Sequence, residues 1–181
     1  MSNSIVVFSG SPRKGGNTDR LVAAFIDGAE SAGKSVSLFR VADMKIGGCL
    51  GCNHCFEEKG VCVQKDDMPM ALDALRKADA FVLASPIYFF NVSAQLKLAI
   101  DRTYALLSDK APIKKAALLM TCGNGGMRAA EGAIAMYNNM CFFSKWEDAG
   151  FILAQGLHEM DAIEEKGQEE LEKAKALGRN I

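Results

Sequence analysis

A loop rich in glycine and hydroxyl residues, residues 9–18, offers the most informative chemistry in the chain. It follows the apolar run 5–8 and precedes apolar residues at helical spacing, so the sequence predicts a strand, a loop and a helix. The backbone amides of such a loop and the positive end of the helix dipole attract an anion. The side chains that add donors or positive charge are Ser9, Ser11, Arg13, Lys14, Asn17 and Thr18. We therefore predict that this loop binds a phosphate group.

Two better-known phosphate-binding patterns do not match this loop. Gly10 and Gly15 have the spacing of a nucleotide-triphosphate P-loop, but Gly16 and Asn17 stand where a lysine and a hydroxyl residue are required. Pro12 lacks a backbone donor and interrupts the dinucleotide-binding pattern. The loop is therefore predicted to bind a monophosphate. The alternative is an ordinary glycine-rich turn with a polar helix cap.

Two further loops are predicted at the carboxyl ends of neighbouring strands, where doubly wound sheets bind their ligands. Residues 85–93 are too aromatic for a solvated turn, which favours a wall for a flat ring; the alternative is a cover for the core or an oligomer interface. Residues 121–127 are rich in glycine, which lets backbone amides approach a ligand; the alternative is a plain flexible loop. The three loops describe a mononucleotide with a broad ring, and flavin mononucleotide (FMN) fits best.

Four cysteines lie close together between the second strand and the next helix. Cys49, Cys52, Cys55 and Cys62 have the spacing C-x2-C-x2-C-x6-C. Such a run resembles the ligand runs of 4Fe–4S proteins, but four thiolates also suit zinc. Two further interpretations stay open, which are a redox-active cysteine pair and a compact insertion without a cofactor. His54 lies inside the run and is expected to be a surface residue.

Few other side chains are candidates for chemistry. Cys122 falls in the third ligand loop and is expected to end a strand, while Cys141 is predicted to be a core residue. Neither histidine has a nucleophile partner, and the chain has no Gly-x-Ser-x-Gly elbow, so hydrolase chemistry is not expected. We predict no catalytic side chain, because a bound flavin would itself perform the chemistry.

The elements that must position these loops alternate along the chain. The predicted strands are 5–8, 35–41, 80–84, 116–120 and 151–154, and the predicted helices are 18–32, 67–77, 93–107, 128–148 and 161–178. This alternation predicts a parallel sheet covered by helices on both faces. We expect a single domain over residues 1–181, with a cysteine-rich insertion at about 47–65.

Composition limits the classes of partner and the compartment. The formal net charge of −1 gives no basic surface for nucleic acid or anionic lipid. No apolar stretch reaches membrane-spanning length, and the first residues lack the features of a signal peptide. We therefore expect a cytoplasmic protein with no nucleic-acid or membrane partner. In that compartment six cysteines indicate metal or redox chemistry more than structural disulfides.

Three parts of the sequence together resemble the NADPH-dependent FMN reductase-like proteins. These are residues 10–18, the cysteine run with residues 63–68, and residues 85–89 with 93–97 and 100–102. The resemblance covers residues 4–160, and its closest branch is the iron–sulfur flavoproteins. It implies a flavodoxin-like three-layer α/β/α sandwich, with a five-stranded parallel sheet in the order 2-1-3-4-5.

The resemblance also implies a set of binding residues. Those for FMN are Ser9, Ser11, Arg13, Asn17 and Thr18 at the phosphate, Pro86, Ile87, Tyr88 and Phe89 beside the ring, and Thr121, Cys122, Gly123 and Gly125 opposite. Those for a 4Fe–4S cluster are Cys49, Cys52, Cys55 and Cys62.

The activity that the resemblance implies is an FMN-dependent NAD(P)H oxidoreductase. It would pass electrons from the nicotinamide through FMN to a small acceptor, such as a quinone, a flavin or a nitro or azo compound. The alternative is an iron–sulfur flavoprotein or flavodoxin-type electron carrier that serves a redox protein partner. The family also implies a homodimer or homotetramer.

Overall fold

A parallel sheet forms the centre of the molecule, in a computed structural model that describes residues 4–124 and 126–181. Its strands are β1 (Ser4–Ser9), β2 (Ser35–Arg40), β3 (Ala80–Tyr88), β4 (Asn91–Val92), β5 (Lys115–Thr121) and β6 (Glu147–Ala154). The order β2-β1-β3-β5-β6 is parallel throughout, and the short β4 pairs antiparallel with β3. Apart from this extra strand, the predicted order 2-1-3-4-5 is confirmed.

Helices cover both faces of the sheet, as the alternation predicts. They are α1 (Asn17–Ser31), α2 (His54–Glu57), α3 (Met68–Leu75), α4 (Ala94–Arg102), α5 (Gly126–Ser144), α6 (Ile163–Lys166) and α7 (Gln168–Asn180), and a 3-10 turn (Thr103–Leu107) follows α4. Helices α3, α4 and α5 pack on one face, and α1, α6 and α7 pack on the other. Among the described residues, none of the helices has both the length and the apolar character needed to cross a bilayer.

The apolar run of β1 shows why the sheet is buried on both sides. Val6 and Phe8 belong to the core beneath α3, α4 and α5, whereas Ile5 and Val7 belong to the core beneath α1 and α7. Successive strand residues point to opposite faces, so a strand covered on both faces needs a continuous apolar run. Phe8 also packs edge to face on Phe81, with ring centroids 4.9 Å apart. Strand β1 therefore contributes to the cores on both faces of the sheet.

Several predicted boundaries are wrong, and each has a local cause. Helix α5 ends at Ser144 and not at residue 148, because Lys145 adopts a left-handed conformation and β6 begins at Glu147. The predicted helix 161–178 is two helices separated by Gly167. Strand β3 continues to Tyr88, four residues beyond its predicted end, because it turns there into a hairpin with β4.

Two glycines allow α1 and α7 to pack with their backbones in close contact. A Cβ atom at Gly28 would overlap the carbonyl group of Lys175, and one at Gly178 would overlap the carbonyl oxygen of Phe25. Both glycines lie inside helices, where glycine is less favourable than alanine by about 1 kcal/mol. The close approach of the two helices therefore explains why glycine is present at these positions.

We predict that Gly178→Ala lowers the free energy of unfolding by about 2–3 kcal/mol, because the overlap outweighs the gain in helix propensity. Urea denaturation measures this difference. Arg179→Ala, at an exposed position on the same helix, serves as the control and should change the free energy by less than about 0.5 kcal/mol. A Gly178→Ala variant that is more stable than the wild type would contradict the packing described here.

Candidate functional site

The carboxyl ends of β1, β3 and β5 lie at one edge of the sheet, and their loops surround a cavity of about 220 Å³. The predicted residues that line it are Ser11, Arg13, Asn17, Thr18, Pro86, Ile87, Tyr88, Thr121, Cys122 and Gly123. Leu157 and His158 complete the lining. The fold therefore brings most of the predicted site residues to one place. Gly125, also predicted for this site, lies outside the described residues.

The loop after β1 is held against the start of α4 by a very close backbone contact. A Cβ atom at Gly10 would lie 2.5 Å from Cβ of Leu96 and 2.6 Å from Oγ of Ser93, so only glycine fits there. Ser93 Oγ donates to the Gly10 carbonyl at 2.7 Å and accepts from the Leu96 amide at 3.2 Å. The Gly10 amide in turn donates to the Ala84 carbonyl at 2.9 Å. The loop is therefore fixed to both β3 and α4.

Arg40 supports the same loop from behind. Its Nη2 donates to the Ser11 carbonyl at 3.2 Å, its Nε donates to Asp43 at 3.1 Å, and its Nη1 pairs with Asp19. Asp19 also accepts a hydrogen bond from the Gly15 amide at 2.8 Å. Burial alone would lower the pKa of Arg40, but the hydrogen bonds to Asp19 and Asp43 raise it. A permanent positive charge therefore lies next to the loop and fixes its shape.

Helix α1 begins directly after the loop and leaves its first amides free of a side-chain cap. Its N-cap is Gly16, which provides no capping side chain. The Asn17 side chain is used elsewhere, because Nδ2 donates to the Glu159 carbonyl at 2.6 Å and Oδ1 accepts from the Ile163 amide at 3.0 Å. What Asn17 offers at the helix start is therefore its backbone amide. Uncapped first-turn amides are suited to an anion.

Hydroxyl groups are concentrated where the loops meet. Thr18 Oγ1 and Thr121 Oγ1 are 2.7 Å apart, so a hydrogen bond joins the start of α1 to the end of β5. Ser11 Oγ lies 3.3 Å from the Arg13 amide. Ser9 Oγ is buried at the end of β1, outside the cavity lining, and has no hydrogen-bond partner among the described residues. The structure therefore places this predicted phosphate ligand behind the cavity lining, below the loop.

The aromatic loop contributes to the cavity only in part. Pro86, Ile87 and Tyr88 line it, but Phe89 is not part of the lining and its side chain is 96% exposed. Phe89 was predicted to border the ring, and the structure places it outside the cavity. The difference arises because β3 turns sharply after Tyr88 to pair with β4.

Sequence reasoning missed the segment that follows β6. The Leu157 amide donates to the Cys122 carbonyl at 3.0 Å, which brings the segment over the glycine-rich loop. His158 Nε2 lies 3.1 Å from Asn124 Oδ1, and a Cβ atom at Gly123 would lie 3.1 Å from the imidazole. The position of this segment in the fold could have indicated its role, because β6 ends at the same edge of the sheet as β5 and the segment follows directly.

The lining favours a negatively charged ligand. Arg13 supplies a permanent positive charge, and the described lining contains no aspartate or glutamate. Cys122 adds no charge, because burial raises the pKa of its thiol. Uncapped helix amides, hydroxyl groups and the Arg13 guanidinium together fit a phosphate ester.

The cysteine run forms a loop whose two ends are tied together by a buried ion pair. The Arg102 side chain is 1% exposed and binds Asp66 through both Nη atoms, at 2.6 and 3.0 Å. Arg102 also donates to the Gly47 carbonyl at 2.9 Å. Burial would raise the pKa of Asp66, but Arg102 and the amides of Gly47 and Met68 lower it. Both ends of the loop are thus fixed to the last turn of α4.

The same structure does not gather the four cysteines into a metal site. Cys49 and Cys52 are exposed, and Cys55 and Cys62 are half-buried. Within residues 4–124 and 126–181, no three histidine, cysteine, aspartate or glutamate side chains are grouped so that they could hold a metal ion. The predicted 4Fe–4S site is therefore unsupported by the structure. Contacts of Arg102 and Asp66 hold the ends of the loop, and the four cysteines between them differ in exposure, so the spacing alone does not bring the thiols to one centre.

A larger apolar cavity of about 850 Å³ lies at the opposite edge of the sheet. It is bounded by the second half of α5 and the 3-10 turn after α4, with Phe81 and Trp146 at its base. These two residues lie at the amino ends of β3 and β6, away from the glycine-rich loops. This cavity lies away from the start of α1 and the glycine-rich loops, and its lining is mostly apolar, so we place no phosphate ester there.

The fold and the first cavity define a class, which is a flavodoxin-like α/β protein with a glycine-rich loop after its first strand. Within this class, a sequence profile described as NADPH-dependent FMN reductase matches residues 3–155. The chain belongs to this family.

Curated relatives place the chain near the iron–sulfur flavoproteins. One from Archaeoglobus fulgidus is 43% identical over 93 residues, which are 51% of this chain and 42% of that protein. One from Methanocaldococcus jannaschii is 34% identical over 135 residues, which are 75% of this chain and 68% of that protein. The matched region spans about half the length of several of these relatives.

Solved structures share the fold at low sequence identity. The NAD(P)H:quinone oxidoreductase from Methanothermobacter marburgensis superposes with a TM-score of 0.80 at 18% identity, over 99% of this chain and 96% of that chain. An FMN-dependent NADH-azoreductase from Bacillus anthracis gives a TM-score of 0.72 at 14% identity, over 98% and 99% of the two chains. These comparisons confirm the flavodoxin-like architecture.

We predict that Cys122 reports on ligand binding through its rate of alkylation by N-ethylmaleimide. Cys49 and Cys52 are exposed and should react first, and Cys122 should react more slowly because its raised pKa leaves less thiolate. Its rate should increase as the pH rises toward that pKa. FMN at about 100 times its Kd should slow the labelling of Cys122 about 100-fold, because only free protein reacts.

Mass spectrometry of the digested protein measures each rate separately. Cys141 is the matched control, because it is also buried with a raised pKa but lies in α5 away from the cavity. FMN should leave the rate at Cys141 unchanged. Equal protection of both cysteines, or of neither, would show that the ligand does not occupy the cavity beside Cys122.

Proposed function

We propose that the chain binds FMN in the cavity at the carboxyl edge of its sheet. In this proposal, bound FMN takes electrons from NADPH or NADH and passes them to a small acceptor, such as a quinone, a flavin or a nitro or azo compound. The observation that carries the proposal is the cavity itself, where three loops join uncapped amides, hydroxyl groups and Arg13 beside an apolar wall. Membership of the NADPH-dependent FMN reductase family supports it.

The loop after β1 would hold the phosphate of FMN. The amides at the start of α1, the hydroxyl groups of Ser11 and Thr18, and the guanidinium of Arg13 would surround it, with Ser9 beneath. Asn17 would contribute its backbone amide, since its side chain already binds the segment after β6. Arg40 would take no direct part, but its contact with the Ser11 carbonyl keeps the loop in shape.

The other two loops would hold the flavin ring. Pro86, Ile87 and Tyr88 would form one wall, and residues 121–123 would form the other. We also assign the predicted Gly125 to this second wall. Phe89 is not included, because its side chain lies outside the cavity.

When bound, FMN supplies the redox chemistry, because it accepts two electrons from a nicotinamide and releases them to an acceptor. The protein residues position it and exclude water from one face. Backbone amides of the glycine-rich loop would stabilise negative charge on the ring. We assign no catalytic acid or base, since no such pair faces the cavity among the described lining residues.

A second candidate function is electron transfer to a protein partner, as an iron–sulfur flavoprotein. The observation in its favour is the name shared by curated relatives of up to 43% identity. The cysteine loop does not fit a cluster in this structure, so no electron path is drawn through it. The first proposal therefore takes precedence.

Further features complete the proposal. We propose that residues 1–181 act as a single FMN-binding domain with the cysteine-rich loop as an insertion.

A homodimer or homotetramer is proposed from the family. All six cysteines are free thiols, which is the state that the reducing cytoplasm maintains, so we propose that location.

Anaerobic visible spectroscopy tests the proposed function. The FMN-loaded protein should show the two flavin absorption bands. Both bands should bleach when one equivalent of NADPH or NADH is added per bound FMN. Free FMN at the same concentration serves as the control and should bleach far more slowly, because no protein positions the nicotinamide against it.

Two results would count against this proposal. Flavin bands that persist after addition of either nicotinamide would argue for a carrier reduced by a protein partner. A broad brown absorption beneath the flavin bands of anaerobically purified protein would favour the iron–sulfur flavoprotein alternative.

A further inference from the structure

The turn between β3 and β4 consists of two consecutive phenylalanines in an unfavourable backbone conformation. Tyr88 pairs with Asn91 across the hairpin, so Phe89 and Phe90 alone form the turn. Their φ angles are +47° and +70°, which places both in the left-handed region. Two-residue hairpins of this kind favour Asn-Gly, because left-handed conformations are strained for residues with a bulky side chain. The backbone of this turn is therefore strained, and an Asn-Gly pair would avoid that strain.

The two phenylalanine rings are largely exposed, so burial contributes little to offset the strain of the turn. Phe89 is 96% exposed and Phe90 is 62% exposed. The rings contact each other edge to face, with centroids 5.6 Å apart. A residue that is both strained and exposed weakens the folded state, so its presence calls for a role outside folding.

The surrounding structure holds this turn rigidly. A Cβ atom at Gly132 of α5 would lie 2.6 Å from the Phe90 carbonyl oxygen, so the turn rests directly on the helix. Beyond the turn, Val92 is buried in the core and its amide binds the Asn91 side chain at 2.8 Å. The two rings are thus presented on a fixed support, which reduces the entropy that a bound molecule would have to remove.

The position of the turn limits what the rings can contact. Ile87 and Tyr88, the residues before the turn, line the cavity, so the turn that carries the two rings begins at the rim of the cavity. They do not line the cavity itself, which separates them from the walls around bound FMN. A molecule stacked on these rings would therefore lie beside the opening through which electrons must leave.

We propose that Phe89 and Phe90 form a platform that binds a planar aromatic electron acceptor at the mouth of the cavity. This inference rests on the proposed function, because it assigns the class of acceptor to the same site. Rigid aromatic rings bind flat aromatic molecules by stacking and edge contacts, which explains two phenylalanines in a turn that favours Asn-Gly.

A pair of double variants separates the rings from the strain. Phe89→Asn with Phe90→Gly removes both rings and relieves the strained turn, whereas Phe89→Tyr with Phe90→Tyr keeps the rings and the strain. The readout is binding of anthraquinone-2-sulfonate to the oxidised, FMN-loaded protein without nicotinamide, so that no turnover occurs. Phe142→Ala is the matched control, because this phenylalanine is 87% exposed on α5 and does not line the cavity.

The Asn-Gly variant should bind the quinone about tenfold more weakly, the loss expected for two aromatic contacts. It should also unfold at a temperature roughly 4 °C higher, because the strain is gone. The tyrosine variant should bind the quinone within about twofold of the wild type, as should Phe142→Ala. FMN affinity should stay unchanged in all three variants.

Unchanged quinone binding in the Asn-Gly variant would overturn the platform. If that variant also changes from an oligomer to a monomer in light scattering, the turn instead contacts a second copy of the chain. These outcomes are distinct from failure of the proposed function, in which the wild-type protein would not bind FMN or would not be reduced by NAD(P)H.

Discussion

The candidate site depends on the contact between the Gly10 backbone and the first turn of α4. Ser93 both caps α4 and donates to the Gly10 carbonyl, so one hydroxyl group joins the loop after β1 to the loop after β3. The contact leaves no room for a Cβ atom at Gly10. It fixes the distance between the predicted phosphate loop and the wall formed by Pro86, Ile87 and Tyr88. A mononucleotide needs these two parts at a fixed separation, because its phosphate and ring are joined by a chain of limited length.

The sequence was sufficient to predict the sheet and most of the cavity for a simple reason. Buried parallel strands need continuous apolar runs, and ligand loops follow them at one edge, so strands and loops are both visible as local patterns. Two features depend on pairing that no single apolar run reveals, and both were missed. His158 reaches the cavity because the segment after β6 bonds to Cys122 and Asn17, and Phe89 leaves it because β3 pairs with β4.

The cysteine run is a case in which the sequence motif predicts a metal site that the structure does not support. Its spacing suits a cluster, and relatives are named iron–sulfur flavoproteins. In the structure, however, the loop is held by the buried pair of Arg102 and Asp66, and no metal site is assembled within the described residues. Two cysteines remain exposed at the surface. The proposed flavin site lies apart from these cysteines, since none of the four lines the cavity.

The central claim is that the cavity recognises a flavin through its phosphate. Fluorescence titration of flavin-free protein with FMN and, separately, with riboflavin tests it most directly, because the two ligands differ only in the phosphate group. We expect one FMN per chain, bound about 100-fold more tightly than riboflavin because of two charge-assisted hydrogen bonds to the phosphate. Equal affinity for the two flavins would show that the loop after β1 does not bind a phosphate, and would contradict the account.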